Sequence, residues 1–181
     1  MDKATPPVKA IIGLGNPAPE YQKTYHNIGR IFVDYYRSSL KDQAFTKFLN
    51  PPRKKFDYCQ LADRFLIRTV TFMNESGGAV KQALAYFKLK PGEVIFVHDD
   101  SDMTVGNYKI SFDQRSAGHK GVQSIIDALK TQKIRRLKIG IRPKSEGIRQ
   151  KAEKFVLKKI SRKDESDLVL VFSQIISELK N

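Results

Sequence analysis

The segment Ile11-Ile12-Gly13-Leu14-Gly15-Asn16-Pro17-Ala18-Pro19 joins a predicted strand to a loop. The aliphatic run from Val8 to Leu14 is typical of a buried strand. Pro17 and Pro19 cannot donate the backbone hydrogen bonds that a helix or a sheet needs. We therefore expect the strand to end near Gly15 and a loop to follow it.

A helix is predicted directly after this loop. Its apolar residues recur with the i, i+3, i+4 spacing of one helix face, namely Ile28, Ile31, Phe32, Tyr35 and Tyr36. Asn27 stands just before them, where an asparagine side chain can cap the first turn. The loop itself carries Asn16 and His26. Because open α/β sheets bind ligands between strand ends and helix starts, both side chains are candidates for a functional site.

The alternation of strands and helices continues along the rest of the chain. Residues 56–61 and 65–70 predict a hairpin, and residues 94–97 predict a strand buried on both faces. Further strands are expected at 108–112 and 137–141, and helices at 80–87, 122–129 and 168–179. This order predicts an α/β fold: a single-domain three-layer sandwich over residues 1–181, with a mixed, mostly parallel central sheet and helices on both faces. Residues 1–7 are expected to be flexible.

The composition favours a nucleic-acid partner. The formal net charge is +14 and the sequence pI is about 9.9. Between residues 130 and 163 there are 14 lysines and arginines against two glutamates, and such a basic bias favours binding to a polyanion. The lone Cys59 excludes an internal disulfide. Together with the lack of a signal segment or a long apolar run, it predicts a cytoplasmic protein, which we expect to be a monomer.

The three histidines are predicted to lie in loops that follow different strands. His26 follows the first strand, His98 follows the central strand, and His119 precedes a later helix. The carboxyl ends of parallel strands meet at one edge of a sheet. Residues that are far apart in sequence can therefore converge there.

Several motifs in this chain resemble those of the bacterial-type peptidyl-tRNA hydrolases. The first is Gly13-Leu14-Gly15-Asn16-Pro17, followed by Tyr21 and by His26-Asn27 with Gly29. The next are Thr71-Phe72-Met73-Asn74 with Ser76-Gly77, then His98-Asp99-Asp100 with Asp102, then Gly118-His119 with Gly121. Residues 136–141 and 155–157 match later landmarks of the family. The motifs occur in family order over residues 8–179, so the resemblance covers nearly the whole chain.

The resemblance implies a reaction, which is hydrolysis of the ester between a peptide and the terminal ribose of a tRNA. It also assigns roles by motif position. His26 falls on the catalytic histidine and Asp99 on the aspartate that pairs with it. The substrate-binding positions that it implies are Asn16, Tyr21, Met73, Asn74, His119 and Lys120, with Lys138 as one of two basic residues that clamp the 5′-phosphate of the tRNA.

The chemistry of these residue types agrees with that reaction. An ester is already activated, so neither a metal nor another cofactor is expected. Water needs a base with a pKa near neutrality, which histidine provides, and a carboxylate can orient that base. We therefore predict that His26 is the catalytic base and that Asp99 is its partner. Asn16 is predicted to be catalytic as well, because Asn16 and Asn74 would position the ester and donate to the oxyanion.

Two positions depart from the family pattern. Lys120 stands where the family usually carries an asparagine that contacts the peptide, and a lysine can only donate. Ser111 falls on the second position of the phosphate clamp, where Lys109 or Arg115 could substitute for it. Further phosphate contacts are expected from a basic set near Lys138, namely Lys130, Lys133, Arg135, Arg136 and Arg142.

Three alternatives remain open at this point. The chain could be a non-catalytic relative of the same fold that binds RNA. It could be a metal-dependent phosphoesterase that uses His98, Asp99, Asp100 and Asp102, although neighbouring residues of a continuing strand would point apart. Alternatively, Asp100, Ser101 and Asp102 could be ordinary turn and cap residues.

Overall fold

The computed structural model describes residues 6–40, 47–144 and 151–180. Within these ranges six strands and four helices follow one another in the order β1 (Ala10–Gly13), α1 (Ile28–Ser38), β2 (Phe56–Gln60), β3 (Phe65–Thr69), α2 (Ser76–Phe87), β4 (Val94–Thr104), β5 (Tyr108–Phe112), α3 (Lys120–Leu129), β6 (Arg135–Arg142) and α4 (Arg162–Lys180). The expectation of a flexible segment at 1–7 lies outside the described residues except for Pro6 and Pro7, which are exposed and belong to no helix or strand.

The strands form one mixed sheet in the order β2-β3-β1-β4-β6-β5. The four central strands are parallel to one another. The two edge strands, β2 and β5, run antiparallel to their neighbours. The predicted hairpin is therefore the β2–β3 pair, and the prediction of a mixed, mostly parallel sheet is confirmed.

Helices cover both faces of this sheet. One apolar core joins α1 and α4 to the sheet and includes Phe32 and Phe172. A second core on the opposite face joins α2 and α3 to it and includes Val80 and Ile125. The predicted three-layer arrangement is confirmed. No helix in the described ranges is both long enough and apolar enough to cross a membrane.

Helix α1 packs unusually close to the sheet because two glycines face each other there. A Cβ atom on Gly13 would lie 2.3 Å from the carbonyl oxygen of Gly29, and one on Gly29 would lie 2.1 Å from the carbonyl oxygen of Val97. The backbone N–H of Leu14 donates to the same Val97 oxygen at 3.0 Å. This contact brings the start of α1, and the residue before it, to the carboxyl ends of β1 and β4.

Strand β4 runs further than the sequence suggests. It continues from Val94 to Thr104, with a register irregularity between Asp100 and Thr104. His98 therefore lies within a strand and is buried, so the prediction that all three histidines lie in loops is wrong for His98. The physical reason is pairing with β6, which satisfies the backbone of this polar segment as far as Asp100.

Candidate active site

His26 and Asp99 meet at the carboxyl end of the central strands. His26 lies in the short 3-10 turn Tyr25–Asn27 that leads into α1, and Asp99 lies on β4. The Nδ1 atom of His26 is 2.9 Å from Oδ1 and 3.0 Å from Oδ2 of Asp99. Asp99 is buried, whereas the side chain of His26 is 15% exposed. A carboxylate thus holds one ring nitrogen of a histidine that substrate can still reach.

His119 also binds Asp99 and at the same time caps α3. Its Nε2 atom lies 2.9 Å from Oδ1 of Asp99. Its Nδ1 atom accepts hydrogen bonds from the backbone N–H groups of Gly121, at 3.1 Å, and Val122, at 3.3 Å. Because Nδ1 acts as an acceptor, the ring proton sits on Nε2 and is donated to Asp99. His119 therefore donates to the carboxylate and fixes its position.

The charges in this cluster shift the pKa of two groups in opposite directions. Burial alone would raise the pKa of the Asp99 carboxyl, but His119 and His26 outweigh it and hold this pKa far below its usual range. Burial lowers the pKa of His26, but the charge and the hydrogen bond of Asp99 raise it above its ordinary value overall. The ammonium group of Lys120 opposes that rise. The pair therefore has an ionised carboxylate beside a histidine whose pKa is raised.

Asn16 is held rigidly beside this pair by Asn27. The side chain of Asn27 accepts from the backbone N–H of Asn16 at 2.8 Å and donates to its carbonyl oxygen at 2.9 Å. The Oδ1 atom of Asn16 accepts from the backbone N–H of Met73 at 2.8 Å. Its Nδ2 atom has no partner among the described residues and is available as a donor.

The prediction that the side chain of Asn27 caps α1 is wrong. Asn27 occupies the position before the helix, but its side chain makes no capping hydrogen bond there. It is fully buried and bonds to Asn16 instead. The reason is tertiary, since α1 starts beside the loop that carries Asn16, and a buried peptide group needs partners more than a helix end does.

The other predicted substrate-binding residues differ in burial and position. Met73 is buried at the start of the 3-10 turn before α2, and a Cβ atom on Gly121 would lie 2.4 Å from its sulfur. Asn74 follows it and is exposed, and Tyr21 is half-buried at the end of its own 3-10 turn. Lys120 is exposed at the first position of α3.

The basic residues on and beside β6 differ in whether their side chains are buried or accessible. Arg136 is fully buried and donates to the carbonyl oxygens of Gln114 and Arg115, so the expectation that it contacts phosphate is wrong. Lys138 is half-buried and its Nζ atom lies 3.2 Å from Oδ2 of Asp100. Lys109 is directly opposite Lys138 on β5 and is exposed. These two lysines therefore lie side by side on one face at the edge of the sheet.

The structure does not assemble the alternative metal site on His98, Asp99, Asp100 and Asp102. His98 donates from Nδ1 to the carbonyl oxygen of Asp99 at 2.7 Å, and Asp100 binds the backbone N–H of Asp102 as a turn residue does. Among the described residues, the group with metal-ligand spacing is His26, Asp99 and His119, whose ligand atoms lie within 4.8 Å of one another. Both histidines already bond to Asp99, so a metal would have to displace those hydrogen bonds.

Three features of the site were not identified from the sequence. They are the clamp of Asn27 on Asn16, the capping of α3 by His119, and the bond between His119 and Asp99. The position of His119 three residues before Val122, where the apolar helical pattern begins, was the available signal for a cap. The other two depend on contacts between distant segments and carry no local signal.

A family model matches almost the whole chain. The model described as Peptidyl-tRNA hydrolase covers residues 10–181. The chain is 39% identical over 134 residues to the peptidyl-tRNA hydrolase of Persephonella marina, an alignment covering 74% of this chain and 70% of the relative. It is 36% identical over 175 residues to that of Aquifex aeolicus, covering 94% and 85%.

Solved structures show the same similarity. The crystal structure of peptidyl-tRNA hydrolase from Acinetobacter baumannii superposes on this fold with a TM-score of 0.83 and 25% sequence identity. The match covers 96% of this chain and 87% of that chain. Fold and sequence therefore point to the same group of proteins.

Proposed function

Because this chain belongs to the peptidyl-tRNA hydrolase family, it hydrolyses the ester between peptide and tRNA, and we propose that His26 activates the attacking water. The observation that carries this proposal is the His26–Asp99 pair, in which Nδ1 of His26 is bonded to the carboxylate. The Nε2 atom of His26 has no partner in the part of the chain that the structure describes, so it is available to a water molecule.

Asp99 and His119 prepare His26 for this role. The Asp99 carboxylate holds the proton on Nδ1, which leaves the lone pair of Nε2 as the base, and it stabilises the imidazolium that forms. His119 donates to the same carboxylate from Nε2 and is anchored by the first N–H groups of α3. It therefore acts as a positioning residue for Asp99.

The reaction is a direct attack of water on the ester carbonyl. His26 takes a proton from the water as its oxygen bonds to the carbonyl carbon, and the carbonyl oxygen becomes an oxyanion. Asn16 donates to this oxyanion from Nδ2, and the exposed Asn74 holds the peptide end. His26 then returns the proton to the leaving ribose oxygen, so the products are a free peptide and a free tRNA. No covalent intermediate, metal or other cofactor is needed.

The tRNA is held by charge on the β5–β6 edge. We assign the 5′-phosphate contact to Lys138 together with Lys109, because their register places them side by side. Arg115 is the weaker candidate for the second position, because its backbone carbonyl is tied to the buried Arg136. Tyr21 and Met73 line the channel for the peptide in this proposal.

The remaining expectations follow from the same assignment. Nothing in the comparisons favours a non-catalytic RNA-binding relative. A monomer in the cytoplasm is the form that we propose, because the substrate is a product of ribosomes and each chain carries the His26–Asp99 pair by itself. Sedimentation of the purified protein tests the oligomeric state.

The proposed mechanism is tested by comparing two neighbouring carboxylates on β4. Asp99→Asn removes the charge that orients His26, and His26→Ala removes the base itself. For each variant we expect the rate of tRNA release from an N-blocked aminoacyl-tRNA to fall by about 100-fold or more. The assay contains a chelator throughout. Release by the parent protein in the presence of chelator would support the metal-independent route.

Asp100→Asn is the matched control. It makes the same chemical change one residue away, but Asp100 binds Lys138 and not a histidine. Because Lys138 is assigned to the tRNA phosphate, both variants are also compared on a small ester, on which we expect the rate of Asp100→Asn to stay within a few-fold of the parent. Equal losses in Asp99→Asn and Asp100→Asn, or full activity in His26→Ala, would contradict the proposed mechanism.

A further inference from the structure

Lys120 places a positive charge at the rim of the candidate active site. It directly follows His119, whose ring centroid lies 5.0 Å from that of His26. The side chain is exposed, and its charge acts on His26 by lowering the pKa of the imidazole. Among the residues that the structure describes, the other charged and titratable groups that face His26 are Asp99 from β4 and His119 from the start of α3. Lys120 is therefore the cation beside the base.

The ammonium group of Lys120 is not neutralised by the protein. Within residues 6–40, 47–144 and 151–180 no ion pair or hydrogen bond of this side chain is formed. The nearest acid in the cluster, Asp99, is buried and already bonded to both His26 and His119. An unpaired cation at a substrate opening is free to bind an anion of the substrate.

The substrate supplies one anion close to the scissile bond. The ribose that carries the ester also carries a phosphodiester at its 5′ position, and every tRNA has this group whatever the peptide. In the proposed mechanism Asn16, which is buried next to Met73, donates a hydrogen bond to the developing oxyanion. Lys120 is exposed and lies outside that buried position, which suits a phosphate that keeps part of its hydration.

We propose that Lys120 binds the 3′-terminal phosphate of the tRNA, the one on the esterified ribose, and so positions the ester over His26. This inference rests on the hydrolytic mechanism proposed above. It makes Lys120 a residue that recognises the nucleotide and not the peptide. The asparagine that the family usually carries at this position has no charge and cannot contribute in the same way.

The test uses two small esters that differ only in this phosphate. One is the 3′ ester of N-acetylphenylalanine with adenosine, and the other is the same ester of adenosine 5′-(methyl phosphate). For the parent we expect kcat/KM to be higher for the phosphorylated ester by at least about fivefold, the size of a modest charge-assisted contact. In Lys120→Met we expect the ratio of the two values to approach one.

Two matched variants separate charge from other effects. Lys120→Arg keeps the cation and should keep the preference for the phosphorylated ester. Lys163→Met removes an exposed lysine on α4, on the opposite face of the sheet, and should also keep it. Since both esters are measured on each variant, a partly unfolded preparation lowers both values and leaves the ratio unchanged.

Three outcomes would overturn the inference. The parent could show no preference for the phosphorylated ester, or Lys120→Met could keep the preference of the parent. Lys120→Met could also lower both values equally and so keep the ratio, which would show that Lys120 does not act through the phosphate. A failure of the underlying mechanism is visible separately, since His26→Ala would then hydrolyse both esters as fast as the parent.

Discussion

At the scale of single residues, the hydrogen bonds of His119 determine how charge is distributed in the site. Its Nδ1 atom is committed to the backbone of α3, and its Nε2–H is donated to Asp99. The other ring bonded to Asp99 is that of His26, and the charge and hydrogen bond of the carboxylate raise the pKa of this base.

The pH dependence of the reaction follows from the His26–Asp99 pair. Asp99 raises the pKa of His26 against the effect of burial, and the base must be neutral to act. The rate should therefore rise with pH through a half-maximal point above the ordinary imidazole value of about 6.5. In Asp99→Asn the raising effect is lost, so the residual activity should titrate at a lower pH.

Two measurements check this prediction. The pH profile of kcat/KM on a small ester gives the pKa of the free enzyme, and an NMR titration of the His26 ring gives it without turnover. Asp100→Asn serves as the control because its carboxylate binds Lys138. A profile that is the same in Asp99→Asn and in the parent would contradict the assignment of His26 as the titrating base.

At the scale of elements, two contacts determine where His26 lies. Gly13 and Gly29 let α1 approach β1 and β4 closely, which places the turn before α1 at the end of the sheet. The segment that follows β6 supports the same turn from outside. The backbone N–H of His26 donates to the carbonyl oxygen of Val156 at 2.8 Å, and that of Tyr25 donates to Lys158 at 3.2 Å.

Gly29→Ala tests the close packing of α1. The new Cβ atom would lie 2.1 Å from the backbone oxygen of Val97, so the helix must move away from β4. We expect a loss of about 1–3 kcal/mol in the free energy of unfolding. Activity should fall as well, because His26 moves with the helix relative to Asp99. Urea denaturation and the ester assay measure the two effects.

Gly78→Ala is the matched control for that substitution. Gly78 lies in α2, and a Cβ atom there would meet nothing within 4 Å. Because alanine is a better helix former than glycine, we expect this variant to be unchanged or more stable by up to about 1 kcal/mol. If Gly29→Ala were as stable and as active as Gly78→Ala, the close contact would not position the site.

At the scale of the whole molecule, a strongly basic chain presents only part of its charge to a ligand. The formal net charge is +14, yet Arg136 is buried beneath the loop of Gln114 and Arg115. Exposed cations include Lys109 on β5 and Lys120 at the start of α3, and also Lys130 and Lys133 between α3 and β6. The charge that the protein can present to tRNA is therefore smaller than its net charge.

Salt should weaken turnover of a tRNA substrate far more than turnover of a small ester. We expect log kcat/KM for an N-blocked aminoacyl-tRNA to fall linearly with log salt concentration, because phosphate contacts release counterions. Lys109→Met should reduce the magnitude of that slope by about one. Lys163→Met on α4 is the control and should keep the slope of the parent. A slope that Lys109→Met leaves unchanged would remove Lys109 from the phosphate contact.

The sequence predicted most helices and strands correctly, but it predicted fewer of the contacts in the site, and the reasons are physical. Apolar spacing predicted α1 and the β2–β3 hairpin correctly, because burial on one face leaves a regular pattern in the sequence. It failed at His98, where a polar stretch continues as strand β4 because β6 pairs with it. Patterns of single segments contain no information about such a neighbour.

Element types, their order and the family motifs could be read from the chain alone, because spacing and turn residues record them locally. The motifs that contain His26, Asp99 and Asn16 were among them. Only the tertiary structure decided which atoms meet. It joined His119 to Asp99 and Asn27 to Asn16, and it buried Arg136 while placing Lys109 beside Lys138. These outcomes depend on strand register and on the close approach of α1, which arise from packing between segments far apart in sequence.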